Sequence, residues 1–374
     1  MFAGFIFERE KKMADIEHAR KEINEVDREL ARLFVRRMEA VREVADYKRE
    51  RGLQIEDKAR EAQVIMSNSE LIDSDELRQY FVNFLQMNMD ISKQFQRKLI
   101  EGQRVAYSGV PGAFAHIATT RIFPDCNAIP CRDFKAAYDS VVSGECECAI
   151  LPIENSFNGD VGQVMDLAFF GPLYINGVYD ASVVQNLIAP EGATLDTVKT
   201  VISHPQALGQ CEKFLRDHGY QTHEAVNTAV AAKQVARDGD ITVAAIGSDE
   251  AAKLYGLTNI QSHINASDSN TTRFAVFSRI QKSANRDDNR FIMMFTVKNE
   301  PGSLGRAVSA IGENGFNLRV LKSRPTKELS WDYYFYAEGE GRINSYEGRR
   351  MLSALEAVCM NVKVIGSFAE EIKI

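Results

Sequence analysis

A long apolar stripe near the N-terminus most constrains how this chain of 374 residues can fold. From about residue 14 to residue 50, apolar side chains recur at heptad spacing on two adjacent rows, which is typical of a helix packed along its length. A helix of this length cannot bury its stripe against itself, so the pattern predicts a helical bundle or a coiled coil. The two rows are Ile16, Ile23, Leu30 and Val44, and Ala19, Val26, Leu33 and Val41.

Two cations interrupt these apolar rows. Arg37 lies between Leu30 and Val44 on the first row, and Lys48 lies one heptad after Val41 on the second. A charge taken out of water is costly unless it is paired, so an anionic ligand is one explanation for the two cations. The simpler explanation for either residue alone is a snorkelling side chain or an ion pair with a nearby carboxylate.

Further polar residues follow on the first helix and on two more predicted helices. Arg20 is seventeen residues before Arg37, about 100° away on an ideal helix, so it is expected to serve the site of a different subunit. The whole set, in chain order, is Arg20, Arg37, Lys48, Asp57, Arg60, Glu61, Ser92 and Gln96. In order and nearly in spacing, it resembles the active-site set of the all-helical bacterial-type chorismate mutases.

The resemblance implies a chorismate mutase domain over residues 14–101 that forms an intertwined dimer. It assigns the three arginines to the two substrate carboxylates, Lys48 and Glu61 to the breaking ether, and the rest of the set to the remaining pocket. The rearrangement needs only a folded substrate conformer and fixed charges, with no nucleophile, metal or redox cofactor. A length change between Glu61 and Ser92 departs from the family, so Ser92 and Gln96 are assigned by their mutual spacing.

Residues 104–280 alternate short apolar strands with helical stretches, which predicts an α/β domain. Four turns or strand ends in this segment carry glycines or hydrogen-bonding side chains, and open α/β sheets bind ligands at strand ends. Each of them alone is more simply a turn or a helix cap. The dinucleotide fingerprint Gly-x-Gly-x-x-Gly does not occur in the segment, which disfavours a nicotinamide enzyme. The four places are Gly109 to Gly112, Glu154-Asn155-Ser156, Ser203-His204-Pro205-Gln206 and Asn270-Thr271-Thr272-Arg273-Phe274.

Together these four places resemble the signature of prephenate dehydratases. The resemblance implies two α/β lobes, similar to periplasmic binding proteins, with prephenate in the cleft between them. Thr272 is then expected to hydrogen-bond the departing hydroxyl, with proton help from Glu154 or His204, and Arg273 is expected to meet a substrate carboxylate. Further substrate contacts are expected from Gly109, Gly112, Asn155, Ser156, Ser203, Gln206 and Thr271.

After a charged linker over residues 281–289, residues 290–374 predict the order βαββαβ, with one strand over Trp331–Ala337, which is typical of a ferredoxin-like α+β unit. Two short elements of this segment resemble the phenylalanine-binding elements of dehydratase ACT domains. The elements are Pro301 to Leu304 and Lys322 to Pro325. Lys322, the first residue of the second element, replaces a usual glutamate, and the first element reads Gly-Ser-Leu where Gly-Ala-Leu is commoner. The alternative is a dimerisation domain that binds nothing. The expected effector residues are Gly302, Ser303, Leu304, Ser323, Arg324 and Pro325.

Composition restricts the remaining choices. A net charge of -7 and a pI near 5.6 argue against a general nucleic-acid or membrane-surface binder. No apolar run approaches the ~20 residues of a membrane span, and residues 1–12 carry their charges in the reverse order of a secretory signal, so a cytoplasmic location is expected. Six scattered cysteines predict reduced thiols, and the close pair Cys146 and Cys148 lacks partners for zinc.

The sequence therefore predicts a multidomain enzyme, a homodimer or tetramer, that converts chorismate to prephenate and prephenate to phenylpyruvate in phenylalanine biosynthesis. No metal or organic cofactor is expected, and phenylalanine is the expected effector. Residues 1–12 are expected to be an extension outside the fold. Two alternatives are a prephenate dehydratase with a vestigial mutase and a non-catalytic amino-acid sensor. The presence of two site sets that act on consecutive metabolites argues against the sensor.

Overall fold

The computed structural model describes residues 2–266, 270–283, 285–326 and 333–374, with side chains described from residue 16 onward. The chain forms two compact units, Met1–Gly102 and Gln103–Ile374. This division falls where the sequence separates the helical from the central segment. The predicted boundary near residues 281–289 does not separate two compact units, because strands on either side of it pair in one sheet.

The first unit is entirely helical. Its helices are α1 (Phe2–Arg51), α2 (Lys58–Ser69) and α3 (Asp75–Glu101). α1 begins at Phe2, so residues 2–12 are helical and continuous with the predicted first helix. The Asp57 carboxylate caps α2 by accepting a hydrogen bond from the Arg60 N–H at 2.9 Å, and Ser74 caps α3 in the same way.

Much of the predicted apolar stripe of α1 is exposed. Ile23 and Leu33 are each 58% exposed, whereas Ala45, close to the far end of α1, is buried. With 50 residues, α1 is about 75 Å long, whereas α3 with 27 residues is about 40 Å long. α3 therefore covers only part of α1, and the rest of the stripe is an apolar surface of the kind that marks a contact with another protein surface.

The central part of the second unit alternates strands and helices, as the sequence predicted. Its elements are β1 (Arg104–Ser108), α4 (Phe114–Ile122), β2 (Asn127–Cys131), α5 (Phe134–Val142), β3 (Cys148–Asn155), β4 (Gly159–Asp160), α6 (Gly162–Phe170), β5 (Tyr174–Ser182), β6 (Asn186–Ala189), β7 (Thr200–Ser203), α7 (Pro205–Gln210), α8 (Glu212–Asp217), β8 (Gln221–Glu224), α9 (Thr228–Asp238), β9 (Val243–Gly247), α10 (Asp249–Tyr255), β10 (Thr258–Gln261) and β11 (Thr271–Ser278).

The C-terminal part has the predicted βαββαβ order. Its elements are β12 (Arg290–Thr296), α11 (Ser303–Glu313), β13 (Asn317–Pro325), β14 (Tyr333–Glu340), α12 (Tyr346–Glu356) and β15 (Asn361–Phe368), followed by a short β16 (Ile372–Lys373) that was not predicted. The first two residues of the strand predicted over Trp331–Ala337 lie outside the described residues, as do residue 284 of the linker and residue 269 before β11.

The strands form two sheets. A five-stranded sheet has the order β10-β6-β9-β7-β8, and an eleven-stranded sheet has the order β13-β14-β12-β15-β5-β11-β3-β1-β2, with β16 on β5 and β4 on β3. The chain leaves the larger sheet after β5 and returns to it at β11, which lies antiparallel between β3 and β5. This double crossing creates the two predicted α/β lobes.

The central and C-terminal strands share one sheet and one core. β12 is buried on both faces: Phe291, Met293 and Phe295 pack with α11 and α12, whereas Ile292 and Met294 pack with the core of β3, β5 and β11. The two segments that the sequence separates at the linker therefore fold as one compact unit, because hydrogen bonds and apolar contacts join them side by side.

The joint between the two segments requires a glycine. β15 pairs with β5 in parallel through Gly366 and Ile175, and a Cβ at Gly366 would overlap the carbonyl oxygen of Ile175. β16 extends the same edge by pairing Ile372 with Tyr179. Within the described ranges, no helix is both long enough and apolar enough to cross a membrane.

Candidate active sites

Arg37 and Ser92 join α1 to α3 in the helical unit. A guanidinium nitrogen of Arg37 donates to the Ser92 hydroxyl and, at 3.2 Å, to the carbonyl oxygen of Asn88. Ser92 and Gln96 are only 5% and 7% exposed, although both are polar. The Gln96 amide oxygen has no hydrogen-bond partner among the described residues, so this buried amide is available to a ligand.

Glu61 pairs with a cation that the sequence analysis missed. Lys93 donates to the Glu61 carboxylate at 3.1 Å and to Asp90 at 3.0 Å. Burial alone would lower the pKa of Lys93, but the hydrogen bonds to Asp90 and Glu61 outweigh it and raise that pKa. Lys93 resembles any surface cation of a helix in the sequence, and its partner Glu61 is 32 residues away. Only the packing of α2 on α3 identifies it.

The remaining members of the predicted mutase set hold local structure or lie at the surface. The Lys48 ammonium donates to the carbonyl oxygen of Ile55 at 2.5 Å, which ties the end of α1 to the turn before α2. Arg60 is exposed and donates to the side chain of Gln63 at 2.8 Å. Arg20 is exposed on the part of α1 that α3 does not cover.

An apolar cavity of about 610 Å³ lies between α1 and α3, with Arg37 and Asn88 among its polar lining residues. Most of the other lining side chains are apolar, including Leu30, Phe34 and Phe84. Leu30, Phe34 and Phe84 are 43%, 41% and 47% exposed, so the cavity opens onto an apolar surface that lacks a partner in the single chain.

A second cavity, of about 530 Å³, lies in the second unit where β3 and β11 approach α6 and α7. It brings together residues from three of the four places singled out in the sequence. Among its described lining residues none is a lysine or an arginine. The lining consists of Phe114, Phe134, Pro152, Asn155, Asn158, Gly159, Asp160, Val161, Gly162, Gln163, Val183, Gln206, Gln210, Asn270 and Thr272.

Asn155 organises the polar side of this cavity. Its amide nitrogen donates to the Thr272 hydroxyl oxygen at 3.0 Å, to the Asn270 side-chain oxygen at 2.9 Å and to the Thr271 carbonyl oxygen at 3.2 Å. The Asn270 amide in turn donates to Gln210 at 3.0 Å, which links the strand ends to the other lobe. Because Thr272 accepts from Asn155, its own hydroxyl hydrogen is not used in that bond.

Glu154 and Arg273 are not among the residues that line the cavity. The sequence analysis expected Thr271 to Arg273 to precede a strand, but they lie inside β11, where successive side chains alternate between faces. Thr272 and Asn155 therefore face the cavity, whereas Arg273 pairs with Glu154 at 3.0 Å, with Glu338 at 2.9 Å and with Glu371 at 3.1 Å. The structure does not support a contact between Arg273 and substrate, because these carboxylates occupy its guanidinium.

The structure also does not support Glu154 as the proton donor. Burial alone would raise the pKa of Glu154, but hydrogen bonds from Lys322 and Arg273 outweigh it and hold that pKa below its ordinary value. Glu154 is therefore ionised at neutral pH and has no proton to give. The carboxylate that lines the cavity is instead Asp160, which accepts a hydrogen bond from Lys322.

The other predicted donors of the central segment hold local structure. His204 caps α7, its Nδ1 accepting from the Gln206 N–H at 3.3 Å, and it does not line the cavity. Ser203 is fully buried and donates to a carbonyl oxygen of β9 at 3.0 Å. Ser156 and Thr271 exchange hydrogen bonds at 2.9 and 3.0 Å, which closes the loop after β3 onto the start of β11.

The turn from Gly109 to Gly112 contacts the other lobe. Both glycines have positive φ angles, 109° and 86°, which side chains rarely adopt. The Tyr255 hydroxyl of α10 donates to the carbonyl oxygen of Pro111 at 2.6 Å, and a Cβ at Gly112 would lie 3.2 Å from the Tyr255 ring. Close approach of α10 therefore explains this turn without a bound anion.

The predicted effector residues divide between two environments. Ser323 and Pro325 are exposed on β13, whereas Arg324, on the opposite face of the strand, donates to Asp166 of α6 at 3.0 Å and to the Tyr334 hydroxyl at 3.0 Å. The other three open α11: Gly302 is its N-cap with a φ of 79°, Ser303 is buried, and Leu304 packs in the C-terminal core. Among the described residues, no group of three histidine, cysteine, aspartate or glutamate side chains is placed to hold a metal ion.

Two known protein families match the helical segment and the central segment of the chain. The chorismate mutase type II family matches residues 19–97, and the prephenate dehydratase family matches residues 105–282. The bifunctional chorismate mutase/prephenate dehydratase of Buchnera aphidicola is 26% identical over 368 residues, covering 94% of this chain and 96% of that protein. The chain belongs to the bifunctional chorismate mutase/prephenate dehydratase family. As a member of this family it converts chorismate to prephenate and prephenate to phenylpyruvate.

Two further relatives cover the dehydratase part of this family. Arogenate dehydratase/prephenate dehydratase 2 of Arabidopsis thaliana is 33% identical over 290 residues, covering 74% of this chain and 76% of that protein. A solved prephenate dehydratase from Arthrobacter aurescens, in complex with L-Phe, is 25% identical with a TM-score of 0.67 and covers 71% of this chain and 90% of that chain. Both likenesses extend beyond the residues that the dehydratase family itself matches.

Proposed function

We propose that the two reactions take place at separate sites: the mutase reaction in the helical unit, residues 14–101, and the dehydratase reaction in the 530 Å³ cavity of residues 104–280. The C-terminal residues 290–374 are a ferredoxin-like ACT domain that binds phenylalanine. The observation that carries the dehydratase assignment is the hydrogen bond from Asn155 to Thr272 at the wall of the cavity.

Thr272 assists the departing hydroxyl of prephenate. Dehydration breaks a C–O bond and a C–C bond together, so negative charge grows on the hydroxyl oxygen while the ring becomes aromatic. Asn155 holds the Thr272 oxygen and leaves its hydrogen for that leaving oxygen. Phe114 and Phe134 provide apolar surface for the ring, and the amides of the lining provide donors for the substrate's polar groups.

The absence of cations from the described cavity lining suits a decarboxylation. The carboxylate that departs as carbon dioxide loses its charge on the way to the transition state. A strong ion pair with that carboxylate would stabilise bound prephenate more than the transition state and slow the step. Neutral amide donors can orient the carboxylate without this penalty, so the pairing of Arg273 with protein carboxylates is compatible with the reaction.

The variant Thr272→Val tests the assignment because valine has nearly the same shape and no hydroxyl. Dehydration of prephenate is expected to fall about 10²-fold or more, since one hydrogen bond to developing charge is removed. Conversion of chorismate to prephenate by the same protein is the internal control and is expected to stay at the wild-type rate. An unchanged dehydration rate, or equal loss of both activities, would contradict the assignment.

The mutase site is completed by a second copy of the chain. Arg37, Lys48, Glu61, Ser92 and Gln96 belong to one subunit, and Arg20 reaches this site from the partner. Two observations support the proposal: Arg20 is exposed on the uncovered part of α1, and the apolar stripe around it is exposed as well. A homodimer buries this stripe against its own copy. Sedimentation at low protein concentration tests the dimer, and a stable monomer with full mutase activity would exclude it.

Phenylalanine is the proposed effector of the C-terminal domain. The relative from Arthrobacter aurescens, whose solved structure contains L-Phe, supports this choice. Ser323 and Pro325 lie on the exposed face of β13, while the other face of that strand contacts the dehydratase segment. Calorimetric titration and dehydratase rates with increasing phenylalanine test it. If phenylalanine produces neither heat of binding nor a change in rate, the domain serves assembly alone.

A further inference from the structure

A short hairpin forms one wall of the dehydratase cavity. It runs from the end of β3 to β4, and its residues Asn155, Asn158 and Asp160 line the cavity. At its base, Glu154 and Asp160 are direct partners across the two strands. Side chains of direct partners lie on the same face, and like charges in this arrangement repel each other. A cation between the two carboxylates therefore stabilises the closed hairpin.

That cation is Lys322 of β13, in the C-terminal domain. Its ammonium donates to Glu154 at 2.8 Å and also to Asp160. Burial alone would lower the pKa of Lys322, but hydrogen bonds to Asp160 and Glu154 raise it, so the side chain stays charged. Lys322 is 168 residues from Glu154 in the chain, and no residue nearer in sequence makes this bridge between the two carboxylates in the described structure.

β13 contacts the cavity wall through a second ion pair. Arg324, two residues after Lys322 and on the same face of β13, pairs with Asp166 of α6 at 3.0 Å. Its guanidinium lies against Gly162, where a Cβ would overlap it, and Gly162 itself lines the cavity. Two cations of one C-terminal strand therefore hold the hairpin and the helix that follows it.

We propose that Lys322 is a positioning residue of the dehydratase reaction. By bridging Glu154 and Asp160 it holds the hairpin in the conformation in which Asn155 orients the Thr272 hydroxyl. A displacement of β13 would move Lys322 and thereby the cavity wall. The inference rests on the proposed location of the dehydratase site, which the variant Thr272→Val tests separately.

The decisive experiment compares four variants of the full-length chain with the wild type. Lys322→Gln removes the bridging charge, Lys322→Arg keeps it, and Lys322→Gln combined with Glu154→Gln removes both the cation and the repulsion, at a carboxylate that does not line the cavity. Lys298→Gln, at an exposed position of the same domain, is the matched control for loss of one charge. The kcat and KM for prephenate are measured for each, with the chorismate mutase rate and the melting temperature of the same samples.

Lys322→Gln is expected to lower kcat/KM for prephenate about tenfold or more, since small misplacement of a reacting group is costly. Most of the loss should appear in kcat, because the Thr272 hydrogen bond strengthens in the transition state. The mutase rate should stay unchanged. Lys322→Arg and the double variant should each recover most of the lost activity, and Lys298→Gln should behave as wild type. A merely stabilising role of Lys322 would lower the melting temperature without lowering kcat for prephenate.

Three results would overturn the inference. If Lys322→Gln and Lys298→Gln have the same kcat/KM for prephenate while Thr272→Val is inactive in dehydration, the cavity is the dehydratase site, but Lys322 does not position the Thr272 hydroxyl. If Lys322→Gln lowers the dehydration rate and the double variant lowers it further, repulsion between Glu154 and Asp160 is not the reason for the loss of activity. If Thr272→Val is fully active, the dehydratase site lies elsewhere, and the proposed role of Lys322 falls with it.

Discussion

In the helical unit, Arg37 and Gln96 lie next to an apolar surface that remains open, and Arg20 is exposed far along α1. In the second unit, Thr272 and Asn155 lie in a cavity whose walls all come from the same chain. The contrast follows from size. Three helices cannot bury enough apolar surface among themselves, whereas two lobes and eleven paired strands can form a core of their own.

The comparison shows that a site can depend on its surroundings in two different ways. In the proposed dimer, the mutase set depends on a second copy of the chain for Arg20 and for cover of the apolar stripe. The dehydratase set depends on distant parts of its own chain, down to β13 in the C-terminal domain. Changes in one region should therefore spare the other, and dilution should affect only the mutase.

The largest expected effect is that of Arg37→Ala on the mutase. Loss of the half-buried guanidinium that donates to Ser92 should lower the rate of chorismate conversion by about 10²-fold or more. Dehydration of prephenate by the same protein should be unchanged. Arg36→Ala, at the exposed neighbouring position of α1, is the matched control. If Arg37→Ala has the wild-type mutase rate, the mutase is vestigial or uses other residues.

Mixed dimers test whether Arg20 acts across subunits. Arg20→Ala and Arg37→Ala should each lack mutase activity alone. After the two proteins are unfolded together and refolded in equal amounts, roughly a quarter of the wild-type rate should return, because half of the dimers are mixed and each has one intact site. Recovery should be absent when either variant is refolded by itself. A lack of recovery in confirmed mixed dimers would place Arg20 in its own subunit's site.

Lys93→Met should have a smaller effect on the same reaction. Lys93 fixes Glu61, so its loss should lower the mutase kcat by about tenfold through misplacement of that carboxylate. The bond to Asp90 should matter little, because Asp90 is 50% exposed. Lys98→Met, at an exposed position of α3, is the control, and equal rates for the two variants would mean that other contacts hold Glu61.

The smallest expected effect is on the pH dependence of stability. The folded-state pKa of Glu154 is held below its ordinary value of about 4.3. The contribution of the Glu154 carboxylate to the free energy of unfolding is therefore complete above that ordinary value. The contribution is lost as the pH falls through the folded-state pKa. The difference in melting temperature between wild type and Glu154→Gln should therefore be largest at neutral pH and vanish in acid. Glu300→Gln, at an exposed position, is the control and should have the melting temperature of the wild type at every pH. If the difference between wild type and Glu154→Gln grows in acid instead, the prediction is wrong.

Short-range patterns in the sequence were sufficient for the elements and for much of the two candidate sites. Heptad spacing predicted α1. Asn155 and Thr272 were both predicted to lie near prephenate, and they are hydrogen-bonded at the same cavity. Their place near prephenate stays a prediction, whereas the predicted elements agree with the structure because periodicity and strand ends are properties of neighbouring residues.

Predictions of individual roles failed where a side chain's direction or a distant partner decides. Arg273 follows Thr272 directly, but pairing of β11 on both sides places the two side chains on opposite faces. Glu154 resembled a proton donor until Lys322 was seen to bind it. His204 caps a helix, which its sequence context also allowed.

The sequence by itself determined the helical and α/β character of the segments, the boundary near residue 102 and the chemistry that each segment can perform. Only the tertiary structure decided that the C-terminal strands join the central sheet, that Lys93 pairs with Glu61 and that Lys322 pairs with Glu154 and Asp160. The physical reason is the range of the interactions. Periodicity and capping act within a few residues of the chain, whereas strand pairing and ion pairs join residues that come together only when the chain has folded.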